Sequence, residues 1–324
     1  MTDNNFNYDS FVRNPPNPID IENLSLHDSL FSPNHSSPPP FNSFNISSFN
    51  INGLKTHSYN KIELLNNFFS LKHISFSGVV DTHLHPKQMH FLSKCFSSYT
   101  VFSSSLDTSQ HVHSSGGVSL FIENSLASHV HIYTSLSSRL LSVDLYFKGN
   151  IKLRIFVVYI PPTSDQVLRD ATIDLLLQAL SDTKQLSFHH AVCGDFNMHL
   201  DYFYPIFFNQ PQIASKRIHR LFNFLLSNRY VDFIPVNFSD SLSTFHRANV
   251  ITRINYVWSC PLLKSFLLTS FISDACDGSL SDHNPVITYF DSFFLLSSIK
   301  LACAQQLKQC TRHIFLFDSV TPSL

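Results

Sequence analysis

The stretch His190-Ala191-Val192-Cys193-Gly194-Asp195-Phe196-Asn197-Met198 carries a short apolar run straight into a carboxylate and an amide. An apolar run of this length, bounded by Gly, reads as a buried strand. Chemistry tends to gather where rigid strand ends give way to loops. Asp195 and Asn197, two residues apart, can face one cavity, one as an ionised acceptor and one as an amide that both donates and accepts. The plainer reading is a strand followed by an Asp/Asn turn. The remainder of the chain decides between them.

With 324 residues, the chain has room for one large domain with tails or for two small ones. Its formal net charge of -1 gives no global pull toward nucleic acid or membrane, so a polyanionic partner must be held by a local patch. Six cysteines, Cys95, Cys193, Cys260, Cys276, Cys303 and Cys310, lack paired metal spacing and are expected to be reduced intracellular thiols. The N-terminus has no basic region followed by an apolar core, and no apolar run reaches spanning length. A soluble protein of nucleus or cytoplasm, neither secreted nor membrane-bound, is expected.

Residues 1–43 are rich in Asn, Pro and Ser and read as a disordered arm. Order is expected from Phe44, where a strand passes into a turn at Gly53. Ile62, Leu65, Phe68 and Phe69 then fall at helical spacing, and Ile74 to Val80 forms a second buried strand ending at Asp81. Val118 to Ile122 follows Gly116-Gly117. Leu140 to Phe147 and Leu153 to Ile160 flank Gly149-Asn150 as a hairpin. Pro161-Pro162 stops that strand, and Thr163 with Gln166 has the form of a capping box opening a helix from Val167 to Leu180. A further helix is expected from Ile213 to Ser227, then closing strands at Tyr256 to Trp258, Ser265 to Ile272 and Val286 to Phe290. Strands outnumber helices and several are hairpin-linked, which favours two packed sheets flanked by helices, an α/β sandwich. From 291 to 324 the pattern weakens into a tail of uncertain order.

Strand ends carry the candidate chemistry: Asn50 with Asn52, Asp81, Tyr159, Asp195 with Asn197, and Asp282 with His283, with Arg253-Ile254-Asn255-Tyr256 just upstream of the last. Carboxylates and amides are hard oxygen ligands suited to magnesium, which keeps several waters and takes one or two carboxylates plus substrate phosphate. Phosphodiester hydrolysis needs such a charge on the phosphoryl oxygens. It also needs an attacking water held in line, which Asp195 can orient and deprotonate. His283 and Tyr159 are candidate donors to the developing charge.

The order Phe-Asn-Ile-Asn-Gly-Leu, Asp-Thr-His-Leu, Tyr-Ile-Pro-Pro, Gly-Asp-Phe-Asn, Arg-Ile-Asn-Tyr and Ser-Asp-His-Asn-Pro, over residues 44–290, resembles the endonuclease/exonuclease/phosphatase superfamily. The box Ser243-Thr244-Phe245-His246 most resembles the endonuclease domain of non-LTR retrotransposons, relatives of apurinic-site endonucleases and DNase I. The resemblance implies a four-layer α/β sandwich and a magnesium- or manganese-dependent endonuclease that nicks DNA. It implies Asp195 as base, Asn197 as phosphate or metal ligand, and His283 with Tyr159 on the phosphate side. Asn50, Asn52, Asp81 and Asp282 would form the metal side. Thr244 and Arg253 would contact phosphate or hold the cleft together. A reverse transcriptase encoded elsewhere in such an element would be the partner that extends the nick.

Two positions depart from the family pattern. Asp81 stands where Glu is usual, one methylene shorter. Asn255 stands where Asp is usual, beside His283, and a neutral amide supplies no Coulomb term to the imidazole. A weakened enzyme is one consequence. A decayed retroelement fragment that folds or binds nucleic acid without catalysis is another, and a lipid or inositol phosphatase of the same superfamily is a third reading.

Plainer roles stand beside these. Asn50 and Asn52 would equally cap the turn at Gly53, and Tyr159 would sit as a rim tyrosine. The pairs His83/His85, His111/His113, His129/His131 and His189/His190 lack a third ligand for zinc. Lys55, Lys61, Lys87, Lys216, Arg217, Arg220 and Arg247 either line one side of a cleft or lie on solvated helix faces.

Overall fold

The alternation of apolar residues sets two sheets back to back. In the computed structural model the strands are, in chain order, β1 (Ser43–Asn50), β2 (Phe76–Val80), β3 (Tyr99–Ser103), β4 (Val118–Glu123), β5 (Val130–Ser137), β6 (Leu140–Phe147), β7 (Ile151–Tyr159), β8 (His189–Asp195), β9 (Phe245–Arg247), β10 (Val250–Thr252), β11 (Asn255–Ser259), β12 (Leu267–Ile272) and β13 (Val286–Asp291). The helices are α1 (Tyr59–Leu71), α2 (Asn124–Ala127), α3 (Gln166–Gln185), α4 (Arg220–Ser227) and α5 (Pro261–Lys264). The structure describes residues 42–54, 59–84, 88, 94–104, 116–199, 220–233, 243–247, 250–273 and 280–293. Residues 1–41 and the tail beyond residue 293 lie outside them.

One sheet has six strands in the order β12-β13-β1-β2-β4-β3, the other five in the order β11-β8-β7-β6-β5, and β9 pairs with β10 separately. Both large sheets are mixed: β1 runs parallel to β2 and β7 parallel to β8, while β13 and β11 run antiparallel to their neighbours. The strand period of two gives each sheet two apolar faces. In the six-stranded sheet Phe44, Ile46, Phe76, Val80, Leu120 and Ile122 join the core shared with the second sheet. Their alternates Phe49, Val79, Phe121 and Ile287 meet Ile62, Leu65, Phe68 and Phe69 of α1. Ile173, Leu176 and Leu180 of α3 and Leu221, Phe222 and Leu225 of α4 pack on the five-stranded sheet. The result is the expected α/β sandwich. Each fully buried side chain of this size contributes about 1.5–3 kcal/mol, so the two clusters dominate the stability of the fold.

The sheets approach closely at Gly78 on β2. A Cβ there would lie 2.4 Å from Cys193 Sγ and 3.2 Å from a Val157 methyl. Cys193 and Val157 therefore face the opposing sheet, and their in-phase neighbours Asp195 and Tyr159 face the same way.

Local differences from the sequence reading have physical causes. The N-cap of α3 is Asp165, not Thr163: Asp165 Oδ1 accepts from Leu168 N–H at 3.3 Å. The Pro161-Pro162 break is followed by a turn at residues 163–164, which delays the helix start, and the helix then runs on to Gln185. Of the helix expected from Ile213 to Ser227, residues 213–219 lie outside the described part and the remainder is α4. Strands β3 and β5 were not expected. Both are sheet edges, and β5 is exposed along most of its length, so it carries no apolar alternation to read. No helix of the described residues is long and apolar enough to cross a membrane.

Candidate active site

Strand direction brings the separated motifs to one rim. Parallel neighbours end together, and antiparallel neighbours begin where those end. Asn50 lies opposite Val80, the residue before Asp81. Tyr159 lies opposite Asp195 on one side, and Asn255 lies opposite Asp195 on the other. His283 precedes β13, whose first residue Val286 pairs with Ser48 on β1.

Side chains then join the two sheets. Asn50 Nδ2 donates to Asp195 Oδ2 at 2.8 Å, and Asn197 N–H donates to Asp195 Oδ1 at 2.8 Å. Asn50 Oδ1 accepts from Asn52 N–H at 2.9 Å, and Asn52 Nδ2 donates to Asp282 Oδ1 at 3.2 Å. Asn197 Nδ2 reaches back to Ile160 O at 2.9 Å. Ser281 Oγ donates to Asn50 O at 2.7 Å and accepts from His283 N–H at 3.2 Å, tying the histidine loop to the end of β1.

Asp195 is 1% exposed, and burial pushes its carboxyl up to about 7. The Asn50 amide and the Asn197 N–H draw it down, Asp81 pushes it further up, and Arg169 draws it down again. A carboxyl poised near neutrality suits a general base. Burial raises the Tyr159 hydroxyl, and Asp81 and then Asp195 raise it further, so it stays a neutral phenol with a proton to donate. The Arg139 guanidinium lies 5.3 Å from the centre of the Tyr159 ring.

The rim is built from strained backbone. Asn52, Asp81, His83 and Asn197 all have positive φ, at 48°, 57°, 54° and 47°. Non-glycine residues in that region cost about 1–3 kcal/mol each and gather at functional sites, Asn and Asp being the best tolerated. Asp81 is held there by Gly116 N–H at 3.1 Å and His83 Nε2 at 2.8 Å, both on Oδ1. Gly194, with φ of 150°, has no room for a side chain, since a Cβ would sit 1.8 Å from Val158 O.

Asn255 Nδ2 lies 3.4 Å from His283 Nδ1 and 3.5 Å from Asn284 O, long contacts for hydrogen bonds. Its Oδ1 is buried without a hydrogen-bond partner. Thr244 holds the pair from behind: its Oγ1 accepts from Ile254 N–H at 2.9 Å and Asn255 N–H at 3.0 Å, and its carbonyl accepts from Asn284 N–H at 2.8 Å. Phe245 lies against the His283 ring, centroids 4.8 Å apart. Thr244 is fully buried and Arg253 nearly so. The Arg253 guanidinium is ion-paired with buried Asp232 and lies 4.9 Å from the centre of the Tyr256 ring. The polar groups of both residues point into protein.

No family model matches the sequence, and no curated protein does. Solved structures match over most of the chain. AP endonuclease LMAP from Leishmania major aligns with TM-score 0.64 and 13% identity, over 81% of this chain and 92% of that one. The fold is that of the DNase I-like endonuclease/exonuclease/phosphatase superfamily. The Xenopus laevis APE2 catalytic domain shares this DNase I-like fold with TM-score 0.59 and 18% identity, over 76% of this chain and 92% of that one. The endonuclease domain of TRAS1, a telomere-specific non-LTR retrotransposon, does so with TM-score 0.53 and 12% identity, over 78% and 98%.

Within the DNase I-like sandwich the sequence reading missed several supporting residues. Arg169 of α3, nearly buried, donates to Pro161 O and, at 3.2 Å, to Asn197 O, clasping the two segments that follow Tyr159 and Asp195. Its signal was available, since it falls in phase with Thr172, Ile173 and Leu176 on the apolar stripe of its helix. Ser281, which opens the Ser-Asp-His-Asn-Pro motif, is another such residue. Of the seven candidate basic residues, Lys61 and Arg220 have described side chains. Arg220 pairs with Asp170 and Asp174 on exposed helix faces, and Lys61 reaches the rim.

The donor set suits magnesium better than a softer metal. Among the described residues no three His, Cys, Asp or Glu side chains cluster as a metal site. Asp81 and Asp282 with the amides of Asn50 and Asn52 form a sparse hard-oxygen set, the kind that leaves most positions to water and phosphate. The push of Asp81 on Asp195 records a crowding of negative charge that a divalent ion would relieve.

Proposed function

We propose that the chain is a metal-dependent phosphodiester hydrolase that nicks DNA, of the type retrotransposons use for insertion. The observation that carries this reading is the buried, near-neutral carboxyl of Asp195, bonded at once to Asn50 of the opposite sheet and to the Asn197 turn. A base with that pKa can hold a water in line with a phosphodiester and accept its proton as the new bond forms. The Tyr159 phenol and the His283 imidazole stand on the same rim to donate to the phosphoryl oxygens. Asn197, its amide nitrogen fixed by Ile160 O, orients the phosphate from the other side.

Asp81 and Asp282, with Asn50 and Asn52, would hold magnesium or manganese, which supplies charge to polarise a phosphoryl oxygen and steady the leaving oxygen. The positive charge that offsets the phosphate would otherwise have to come from the protein, and the chain as a whole carries net charge -1. The product nick would leave a 3′ hydroxyl for a reverse transcriptase encoded elsewhere in the element. The test is magnesium-dependent nicking of supercoiled plasmid, lost in Asp195→Ala and His283→Ala. Equal nicking by wild type and both variants would remove the proposal.

Asn255 favours a second reading, a non-catalytic relative that binds nucleic acid. Its orphaned Oδ1 and long contact to His283 leave Nδ1 of the imidazole facing a neutral amide. Salt-sensitive DNA binding with no cleavage in magnesium or manganese would select this reading over the first.

A further inference from the structure

Lys61 reaches out of α1 to the rim, where its Nζ donates to Ile51 O at 2.5 Å and Asn52 O at 3.3 Å. Those carbonyls belong to the turn that carries the metal-side amide. Asn52 bonds Asp282 through its side chain, and the next residue, Gly53, donates its N–H to Asp81 O at 2.8 Å. The ammonium is thus pinned beside the backbone that joins the two carboxylates. Burial lowers its pKa, while Asp282 and then Asp81 pull it back up, so the fields of both carboxylates reach it.

We propose that Lys61 is a resident cation of the acidic side of the site, offsetting Asp81 and Asp282 so that a divalent ion binds there only against its repulsion. The proposal rests on reading Asp81 and Asp282 as the metal side. Two carboxylates facing one rim repel each other unless a positive charge stands near. Lys61 supplies that charge when no metal is bound, and it holds the β1 turn in its strained conformation at the same time. It therefore sets how much divalent ion the site needs.

The experiment is a calorimetric titration of the full-length protein with Mn²⁺ in the absence of DNA, on wild type, Lys61→Gln and Lys61→Arg. The glutamine side chain carries no charge and ends one atom short of the lysine nitrogen; loss of anchoring alone would weaken Mn²⁺ binding, so the sign of the change separates charge from anchoring. Lys61→Gln should bind Mn²⁺ roughly tenfold more tightly, the scale on which one unit charge a few ångströms away acts in a partly solvated site. Lys61→Arg should keep the wild-type affinity. Should Lys61→Gln fail to fold, Lys61→Met, which keeps the apolar stem, takes its place. Unchanged or weaker Mn²⁺ binding in the neutral variants, or no binding by any of the proteins, overturns the proposal. The readout is independent of cleavage: a protein that nicks DNA with unaltered ion affinity in Lys61→Gln loses this inference alone, and one whose affinity rises but never nicks loses only the nuclease reading.

Discussion

Asn50 Nδ2 meets Asp195 Oδ2 at 2.8 Å, a bond between residues 145 apart in the chain and on opposite sheets. It favours the ionised carboxylate, since it is a hydrogen bond to the charged form. Asn50→Ala is therefore expected to raise the Asp195 pKa and move the acid limb of the cleavage profile to higher pH. The buried oxygen left without its donor should also cost about 1–3 kcal/mol of stability. A pH-rate profile and a urea melt check both outcomes. An acid limb that moves down would contradict the role given to this bond.

Asp195 itself makes stability depend on pH. Its carboxyl is raised from 3.8 to about 7, so the folded state prefers the protonated form. That preference stabilises fully below the unfolded value of 3.8 and is lost as pH climbs through about 7. Asp195→Asn removes the dependence. Relative to wild type the variant should gain on the order of a few kcal/mol between about pH 4 and pH 8. Parallel denaturant curves at the two pH values would expose a flat difference, the contrary result.

Asn255 is the position where one substitution should increase activity. Asn255→Asp would place a carboxylate 3.4 Å from His283 Nδ1, if it keeps the amide's geometry, where it can fix and charge the imidazole. The reverse exchange in a serine protease triad costs roughly 10⁴ in rate, so a gain of about 10² or more is expected. Asp195 lies directly opposite in the ladder, and the new charge should raise its pKa and shift the optimum toward alkali. Plasmid-nicking rates that do not increase at any pH would show that the amide is not what limits the site.

Arg253 should behave as a pillar and not as a phosphate contact. Its side chain is 3% exposed and paired with Asp232, whose side chain is 1% exposed. Arg253→Met leaves a buried carboxylate unpaired and should cost about 3–5 kcal/mol. DNA affinity measured where the variant remains folded should keep its wild-type value and salt slope. A shallower salt slope would instead give Arg253 a phosphate to bind.

The sequence by itself determined the strands and their strand-end polar groups, because an apolar run that stops at Asn50, Val80, Tyr159 or Asp195 is a local pattern. It also exposed the amide at 255, a matter of residue identity alone. Edge strands β3 and β5 stayed hidden, since neither buries enough of its length to leave a period. Only the tertiary structure decided that Arg253 turns inward to Asp232 while Lys61, on a helix face like any solvated lysine, turns to the rim. Pairing across sheets depends on parallel and antiparallel neighbours sharing one end, a property of topology that no stretch of sequence contains.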